Sequence, residues 1–317
     1  MLHGAVAHAA DPGGANAPSN ATALPAAPTT MHRTAVVRRG AWFVATSANF
    51  QICSLESADV ASTTAEACED LRTALAAKCG FEPTAWRPRC HVVLHVSSAS
   101  YEATVGAGGR VSLASALVRH AGNGIALRQI DVRGDVADFL ATALPHELCH
   151  VLLADRLPEP PLWCDEGLAL QFDSLAKQRL HDRDLRRSLA SGETLPLEAL
   201  LKLRQYPAAA DWPAFYGQSA SVVRCLLQHG DAQQLIEFAE LQAKRDVNSA
   251  LREIYGLRGC DHLDQLWRES LGADHALTHS LTPHSTLVSQ RVPVRPLVCI
   301  DLATTDSLSS SVPFAPE

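Results

Sequence analysis

The spacing of hydrophobic residues predicts strands in the first half of the chain. β-branched and aromatic residues are frequent over Ala41–Cys53, and Cys90–Val96 is a continuous apolar run of the kind that forms a buried strand. Ile125–Val132 follows a turn with two glycines and is predicted to be a third strand. Together these segments predict a small mixed β-sheet.

Helical spacing appears between these strands and dominates after them. A helix is predicted at Asp59–Lys78, with Ser57 as its N-cap. Another is predicted at Val136–Leu153, where Pro145 is expected to introduce a kink. The second half of the chain is predicted to be mostly helical. Its predicted helices are Asp165–Asp184, Pro196–Arg204, Gln218–His229, Asp231–Arg245, Val247–Tyr255 and Leu263–Leu271.

The order of these elements predicts an α+β fold, with a mixed sheet and helices in the N-terminal half and a mostly helical C-terminal half. One domain is predicted at residues 34–272, divided into an α/β half at 34–157 and a helical half at 158–272. The flanking segments 1–33 and 273–317 are rich in small residues, Pro, Ser and Thr. We predict that the first is disordered and that the second is a mobile tail.

Composition narrows the classes of function. Hydrophobic residues make up 47% of the 317 residues, which allows a sizeable core, and the formal net charge of −7 argues against a nucleic-acid-binding protein. No apolar run approaches the ~18 residues that a membrane-spanning helix needs, and no signal peptide is recognised, which favours the cytoplasm. The compartment and the oligomeric state stay open.

The nine cysteines include no C-x-x-C pair. A structural zinc site made of paired cysteines is therefore not expected. We predict buried reduced thiols, and the alternative is one or two disulfides among the first four cysteines.

The sharpest chemical signal is the string His146-Glu147-Leu148-Cys149-His150, an H-E-x-x-H motif on a predicted helix. Positions i and i+4 share one helix face, so the two histidines can bind one tetrahedral zinc ion. Glu147 lies beside them and can accept a proton from the water that the zinc activates. The alternative is a surface helix with solvated histidines. Apolar residues nearly all round the helix oppose it, because buried His and Glu are costly unless they are paired or coordinated.

A catalytic zinc needs a third protein ligand and an open position for water. Asp165 and Glu166 begin a second apolar helix after a Pro-rich loop, which can fold this helix back against the first. Glu166 is the predicted ligand and Asp165 is its rival. Otherwise, Asp165 is interpreted as a helix cap or as an acceptor for the N–H of a ligand imidazole.

The pair of motifs H-E-L-C-H and P-x-W-x-D-E-G-L-A resembles the peptidase MA-like zincins, the gluzincin relatives of thermolysin and of the aminopeptidases. Weaker likeness continues through Phe215–Ala220, so the resemblance covers about residues 40–270. It implies a zincin-like fold with an active-site cleft between its two halves. It also implies one zinc ion per chain, held by His146, His150 and Glu166.

The resemblance further implies that the strand before the motif helix, Ile125–Val132, is an edge strand that pairs with an extended peptide. Three features depart from the family pattern. The spacing from His150 to Glu166 is shorter than in thermolysin-like and aminopeptidase relatives. Leu170 stands where thermolysin-like enzymes carry an acid, and the Gly-x-Met-Glu-Asn signature of exopeptidases is absent. Membership in the aminopeptidase branch is therefore unsupported, and the substrate is undetermined.

The predicted activity is hydrolysis of peptide bonds by a zinc-activated water, with Glu147 as general base. The oxyanion needs a donor beside the metal. Tyr216 is the candidate, because it precedes a predicted helix and the resemblance often places a tyrosine in this stretch. Its alternative role is packing at a helix N-terminus with the hydroxyl half exposed.

The expected partner is a peptide or protein substrate. The alternative function is a catalytically silent zincin fold that binds a peptide or a protein partner, and a non-peptide hydrolase on the same scaffold is a third hypothesis. The presence of Glu147 together with all three candidate ligands favours the enzyme.

Other polar residues near these motifs are predicted to be structural. His91 and His95 also have i,i+4 spacing, but on a strand this separates them by about 13 Å, too far for one metal ion. Cys149 points away from the ligand face and is predicted to be a buried thiol. His181 is assigned to a solvated helix end, and a position in the cleft is the alternative.

Overall fold

The computed structural model of the chain describes residues 3–8, 33–82, 84–110, 112–122 and 124–279. It has an α+β fold, with a mixed β-sheet and helices in the N-terminal half and a mostly helical C-terminal half. The predicted fold class is confirmed at this level.

Strands of both directions form one mixed sheet. They are β1 (His3–His8), β2 (Ala35–Arg39), β3 (Trp42–Thr46), β4 (Phe50–Ser54), β5 (Cys90–His95), β6 (Ser112–Ala121) and β7 (Gly124–Arg133). Their order in the sheet is β1-β6-β7-β5-β4-β3-β2. The pairs β4–β5 and β5–β7 are parallel and the other pairs are antiparallel.

Helices connect the strands and make up the second half of the chain. They are α1 (Ala58–Lys78), α2 (Ser98–Val105), α3 (Phe139–Thr142), α4 (Leu144–Leu153), α5 (Leu162–Ala169), α6 (Leu175–Ser191), α7 (Leu197–Leu201), α8 (Trp212–His229), α9 (Ala232–Lys244), α10 (Val247–Tyr255) and α11 (Cys260–His279). Among the described residues, no helix is both long and apolar enough to cross a membrane.

The described residues form two compact units. The first contains the sheet, the helices α1 to α4 and the segment Phe172–Gln178. Its core is built from the sheet together with one face of α1 and one face of α4, since a sheet must bury its apolar face against another layer. The sheet contributes residues such as Ile52, Val92 and Ile130 to this core, and α4 contributes Leu148.

The second unit contains Glu159–Gln171 and, among the described residues, 179–279. Two glycines allow its helices to cross closely. A Cβ atom at Gly167 would lie 2.6 Å from the carbonyl oxygen of Ser219, so α5 can approach α8 only with glycine at this position. A Cβ atom at Gly217 would lie 2.7 Å from a carbonyl oxygen of α6. Each of these glycines directly follows a candidate site residue.

Helix predictions succeed where a cap is strong. Ser57 caps α1 and accepts a hydrogen bond of 3.1 Å from the backbone N–H of Val60. The predicted helix Val136–Leu153 is wrong in its first part, because α3 and α4 are separate helices. Pro145 stands in the first turn of α4, where a missing N–H costs nothing, and so does not kink a longer helix. The predicted helix Asp165–Asp184 is likewise two helices, α5 and α6.

The predicted edge strand is wrong. Ile125–Val132 corresponds to β7, which pairs with β6 on one side and with β5 on the other. Both edges of β7 are therefore occupied, so an extended peptide cannot pair with it. Sequence analysis also missed β2 and β6, and the predicted strand Ala41–Cys53 is the hairpin of β3 and β4.

The segments that flank the predicted domain lie mostly outside the described residues. Within residues 1–33, where disorder is predicted, the structure has strand β1 at His3–His8, and it describes nothing of residues 9–32. Helix α11 continues to His279, so the predicted tail at 273–317 begins in a helix, and its remainder lies outside the described residues.

All cysteines within the described residues are buried, and Cys53, Cys68, Cys79 and Cys90 form no disulfide. This excludes the alternative of disulfides among the first four, Cys53, Cys68, Cys79 and Cys90. Burial raises the pKa of Cys53 to about 11 and that of Cys79 to about 12, so these thiols stay protonated near neutral pH.

Candidate metal centre

Helix α4 places both motif histidines on one face. The ring centroids of His146 and His150 are 4.8 Å apart, as their one-turn separation along the helix requires. All ten residues of α4 are buried, and the side chain of Glu147 is not exposed at all. Leu148 and Val151 belong to the core that packs on the sheet, so the apolar residues of α4 anchor its polar ones.

Glu166 lies in α5 and is also completely buried. Its helix follows Pro161, and the close crossing at Gly167 holds α5 against α8. The backbone that carries Glu166 is therefore positioned by packing.

The structure brings the three predicted ligands together. One possible ligand atom from each of His146, His150 and Glu166 lies within 4.8 Å of the others, and all three residues are buried. Ligand atoms of a tetrahedral zinc ion, at about 2.0–2.1 Å from the metal, are about 3.4 Å apart, so small side-chain adjustments suffice. Two imidazoles and a carboxylate suit zinc, and three protein ligands leave a position for water. This buried group could hold a metal ion.

Asp165, the rival ligand, precedes Glu166 in the first turn of α5 and is 7% exposed. The group of three contains Glu166 and not Asp165. It also contains none of His91, His95 and Cys149, which sequence analysis assigned to structural roles.

A buried ion pair lies beside the first histidine. Oδ1 of Asp173 is 3.3 Å from Nδ1 of His146 and 3.3 Å from Nζ of Lys177, and none of these side chains is more than 3% exposed. A carboxylate near Nδ1 favours the tautomer with its proton on Nδ1, which leaves Nε2 as the atom that can bind a metal. Asp173 is therefore an acid that can orient the His146 ring.

A tyrosine contacts the carboxylate ligand. Tyr206, between α7 and α8, donates a hydrogen bond from its hydroxyl to Oε1 of Glu166. Burial raises the pKa of Tyr206, and the negative charge of Glu166 raises it further, so the phenol keeps its proton and remains a donor. The rings of Phe215 and Trp212, with centroids 5.8 Å and 6.0 Å away, pack against this tyrosine.

Tyr216, the predicted oxyanion donor, lies within α8 and is 5% exposed. Its predicted place before a helix is wrong, because α8 begins at Trp212, six residues before the predicted start at Gln218. Its ring centroid is 6.0 Å from that of His181. His181 is buried inside α6, so its assignment to a solvated helix end is also wrong.

The buried phenol of Tyr101 is close enough to Glu147, the candidate general base, to be affected by its charge. Burial raises the pKa of Tyr101, and the negative charge of Glu147 adds to this shift. The hydroxyl of Tyr101 is 2.8 Å from that of Ser112, and its ring packs edge-on against His95. His95 is in turn hydrogen-bonded to Asp131 at 2.8 Å, so it belongs to a structural network, in agreement with the prediction.

Sequence analysis missed Asp173, Lys177 and Tyr206. The first two are spaced i,i+4 at the start of α6, which is a pattern for an ion pair. A second signal was the position of Leu170, where thermolysin-like enzymes carry an acid. Asp173 is the next acid along the chain and was the residue to consider in its place. Tyr206 lies in a connection with no hydrophobic periodicity, and no pattern could have pointed to it.

Comparison with known proteins identifies no relative: no family model matches the sequence, and neither the curated proteins nor the solved structures include a significant match.

Replacing Asp173 with Asn is expected to weaken zinc binding about 10–100-fold. The amide removes the negative charge near Nδ1 of His146 and leaves the buried ammonium of Lys177 without its carboxylate. Titration of the metal-free protein with zinc, followed by calorimetry, measures the affinity. Asp59→Asn, at an exposed position of α1, is the matched control and is expected to bind zinc as the wild type does. Unchanged affinity in a correctly folded Asp173→Asn protein would show that Asp173 does not support the metal centre.

Proposed function

We propose that this chain is a zinc-dependent metallopeptidase of the peptidase MA-like zincin type, with one zinc ion per chain. The observation that carries the proposal is the buried group of His146, His150 and Glu166, with Glu147 beside the first histidine in the same buried helix. The resemblance of the two sequence motifs to that family supports the same assignment.

The donor set explains what each ligand does. His146 and His150 offer neutral imidazole nitrogens, and Glu166 offers one negative charge, so a bound Zn²⁺ keeps a net positive charge. When bound, zinc lowers the pKa of a coordinated water to about 7 and polarises a carbonyl group. The Asp173 carboxylate beside Nδ1 of His146, and the hydrogen bond that Tyr206 donates to Glu166, would hold two of these side chains in orientation, as outer partners of metal ligands usually do.

Glu147 is the proton acceptor of the proposed reaction. A carboxylate next to a ligand histidine on the same helix can accept a proton from the attacking water and deliver it to the leaving amine. Its side chain is completely buried in the same helix as the two histidines. The proposed substrate is an extended peptide, because the resemblance to the peptidase MA-like zincins indicates hydrolysis of peptide bonds.

Tyr216 is the proposed donor to the oxyanion. It lies in α8, the helix that crosses α5 next to Glu166. Tyr206 is a less suitable donor, because its hydroxyl proton is already directed to Glu166. The two tyrosines are therefore given different roles, one towards the substrate and one towards the ligand carboxylate.

Glu147→Gln is expected to lower kcat at least about 100-fold while zinc binding is retained, because the amide cannot accept the proton and is not a ligand. The measurement is hydrolysis of a quenched fluorescent peptide library by zinc-loaded protein. The matched control is Glu56→Gln at an exposed position, which is expected to retain wild-type activity. Unchanged hydrolysis in Glu147→Gln would contradict the role of Glu147. Wild-type protein that binds zinc and hydrolyses nothing would favour the catalytically silent binding protein.

Tyr216→Phe is expected to lower kcat about 100- to 1,000-fold with KM and zinc affinity nearly unchanged, since a transition-state donor is lost. Tyr206→Phe is the comparison, and it is expected to weaken zinc binding first, because Glu166 loses a hydrogen-bond donor. Steady-state kinetics and zinc titration of both variants separate the two roles. An unchanged kcat in Tyr216→Phe would remove Tyr216 from the mechanism.

A further inference from the structure

Strand β6 lies beside the motif helix α4 and is the second strand from one edge of the sheet. It pairs with β7 on one side, and on the other side its partner among the described strands is β1. Helix α4 lies in contact with both β6 and β1. Without β1, a ten-residue strand next to the helix of His146 and His150 would present unpaired backbone N–H and C=O groups.

Such an edge accepts an extended segment through backbone hydrogen bonds, and backbone hydrogen bonds depend little on the sequence of the added strand. In the structure the added strand is the chain's own segment His3–His8. It runs antiparallel to β6, with Ala5 opposite Ala116 and Val6 opposite Ser115. An extended peptide and β1 would therefore use the same groups of β6.

Three features indicate that β1 is attached weakly. It has six residues against the ten of β6, and its register shifts between Val6 and His8. Its sequence, His-Gly-Ala-Val-Ala-His, contains one β-branched residue, whereas Gly and Ala are poor strand formers.

We propose that β1 is an internal competitor of the substrate: it occupies the strand edge of β6 on which an extended peptide pairs, and peptide binding displaces it. This inference rests on the proposed peptidase function for its consequence, but the exchange of strands can be tested without catalysis. The β6 edge replaces β7, for which sequence analysis predicted this role.

The binding test uses a fluorescein-labelled synthetic peptide with the sequence of residues 1–10, added to Glu147→Gln protein so that the probe is not cut. Fluorescence anisotropy is measured with the full chain and with a chain lacking residues 2–10. The shortened chain is expected to bind the peptide at least tenfold more tightly, because its β6 edge is open. Equal or absent binding to both chains overturns the proposal, provided that circular dichroism and the melting temperature show a folded protein.

A second variant keeps the full length and guards against misfolding of the shortened chain. In Ala5→Pro/Val6→Pro, adjacent N–H groups of β1 point to opposite edges, so one of the two prolines removes a donor to β6. This variant is also expected to bind the labelled peptide at least tenfold more tightly than the full wild-type sequence. Equal binding in the folded double variant would overturn the proposal independently of the deletion.

The activity test uses the same two changes with Glu147 in place and the quenched peptide library as substrate. Both are expected to lower KM severalfold at nearly constant kcat, and the unlabelled peptide 1–10 is expected to inhibit them competitively. Tighter peptide binding with an unchanged KM would overturn the competition with substrate. Tighter binding by a protein that hydrolyses nothing would instead support the strand exchange and contradict the peptidase function.

Discussion

The constraint on which the rest of the structure depends is the burial of α4. All ten of its residues are inside the protein, yet three of them are His146, Glu147 and His150. Moving such groups out of water costs several kcal/mol unless each finds a partner, on the order of the penalty for any buried polar side chain. A metal ion is one solution, because a single dication would bind both imidazoles and would offset the negative charge of the nearby Glu147 carboxylate.

The surroundings of the motif support this interpretation. Asp173 and Lys177 form a buried pair next to His146, and Tyr206 donates to Glu166. A buried salt bridge adds little stability by itself, and it is commonly retained where it orients something else. Here the acid lies beside the imidazole of His146, where it can orient the ring.

The packing of the helices explains why the second motif contains glycine. Gly167 follows Glu166 because any larger residue would collide with the Ser219 backbone in α8. The same argument applies to Gly217 after Tyr216, where α6 approaches. In both places a candidate site residue, Glu166 or Tyr216, is adjacent to a close crossing of two helices. Its backbone therefore has little freedom to move. Such rigidity is what a site needs to hold ligands within a fraction of an ångström.

Much of this arrangement could be predicted from the sequence. The proximity of His146 and His150 was predictable because i,i+4 spacing on a helix fixes their mutual geometry, and α1 was predictable because Ser57 is a strong cap. The sheet order was not, since β6 and β2 lack a distinctive pattern and strand pairing is a long-range property. For the same reason β7 was wrongly assigned to an edge of the sheet. The pairing of β1 with β6 shows that two more strands lie beyond β7 on that side. Asp173 and Tyr206 reach their partners through tertiary contacts that no local period encodes.

The central claim is that His146, His150 and Glu166 bind one zinc ion, and metal content tests it most directly. Purified protein is reconstituted with zinc, exchanged into metal-free buffer and analysed by inductively coupled plasma mass spectrometry, together with Glu166→Ala. About one zinc per chain in the wild type, and a loss of most of it in the variant, is the predicted result. Absence of zinc from the reconstituted wild type, or full retention in Glu166→Ala, would contradict the account.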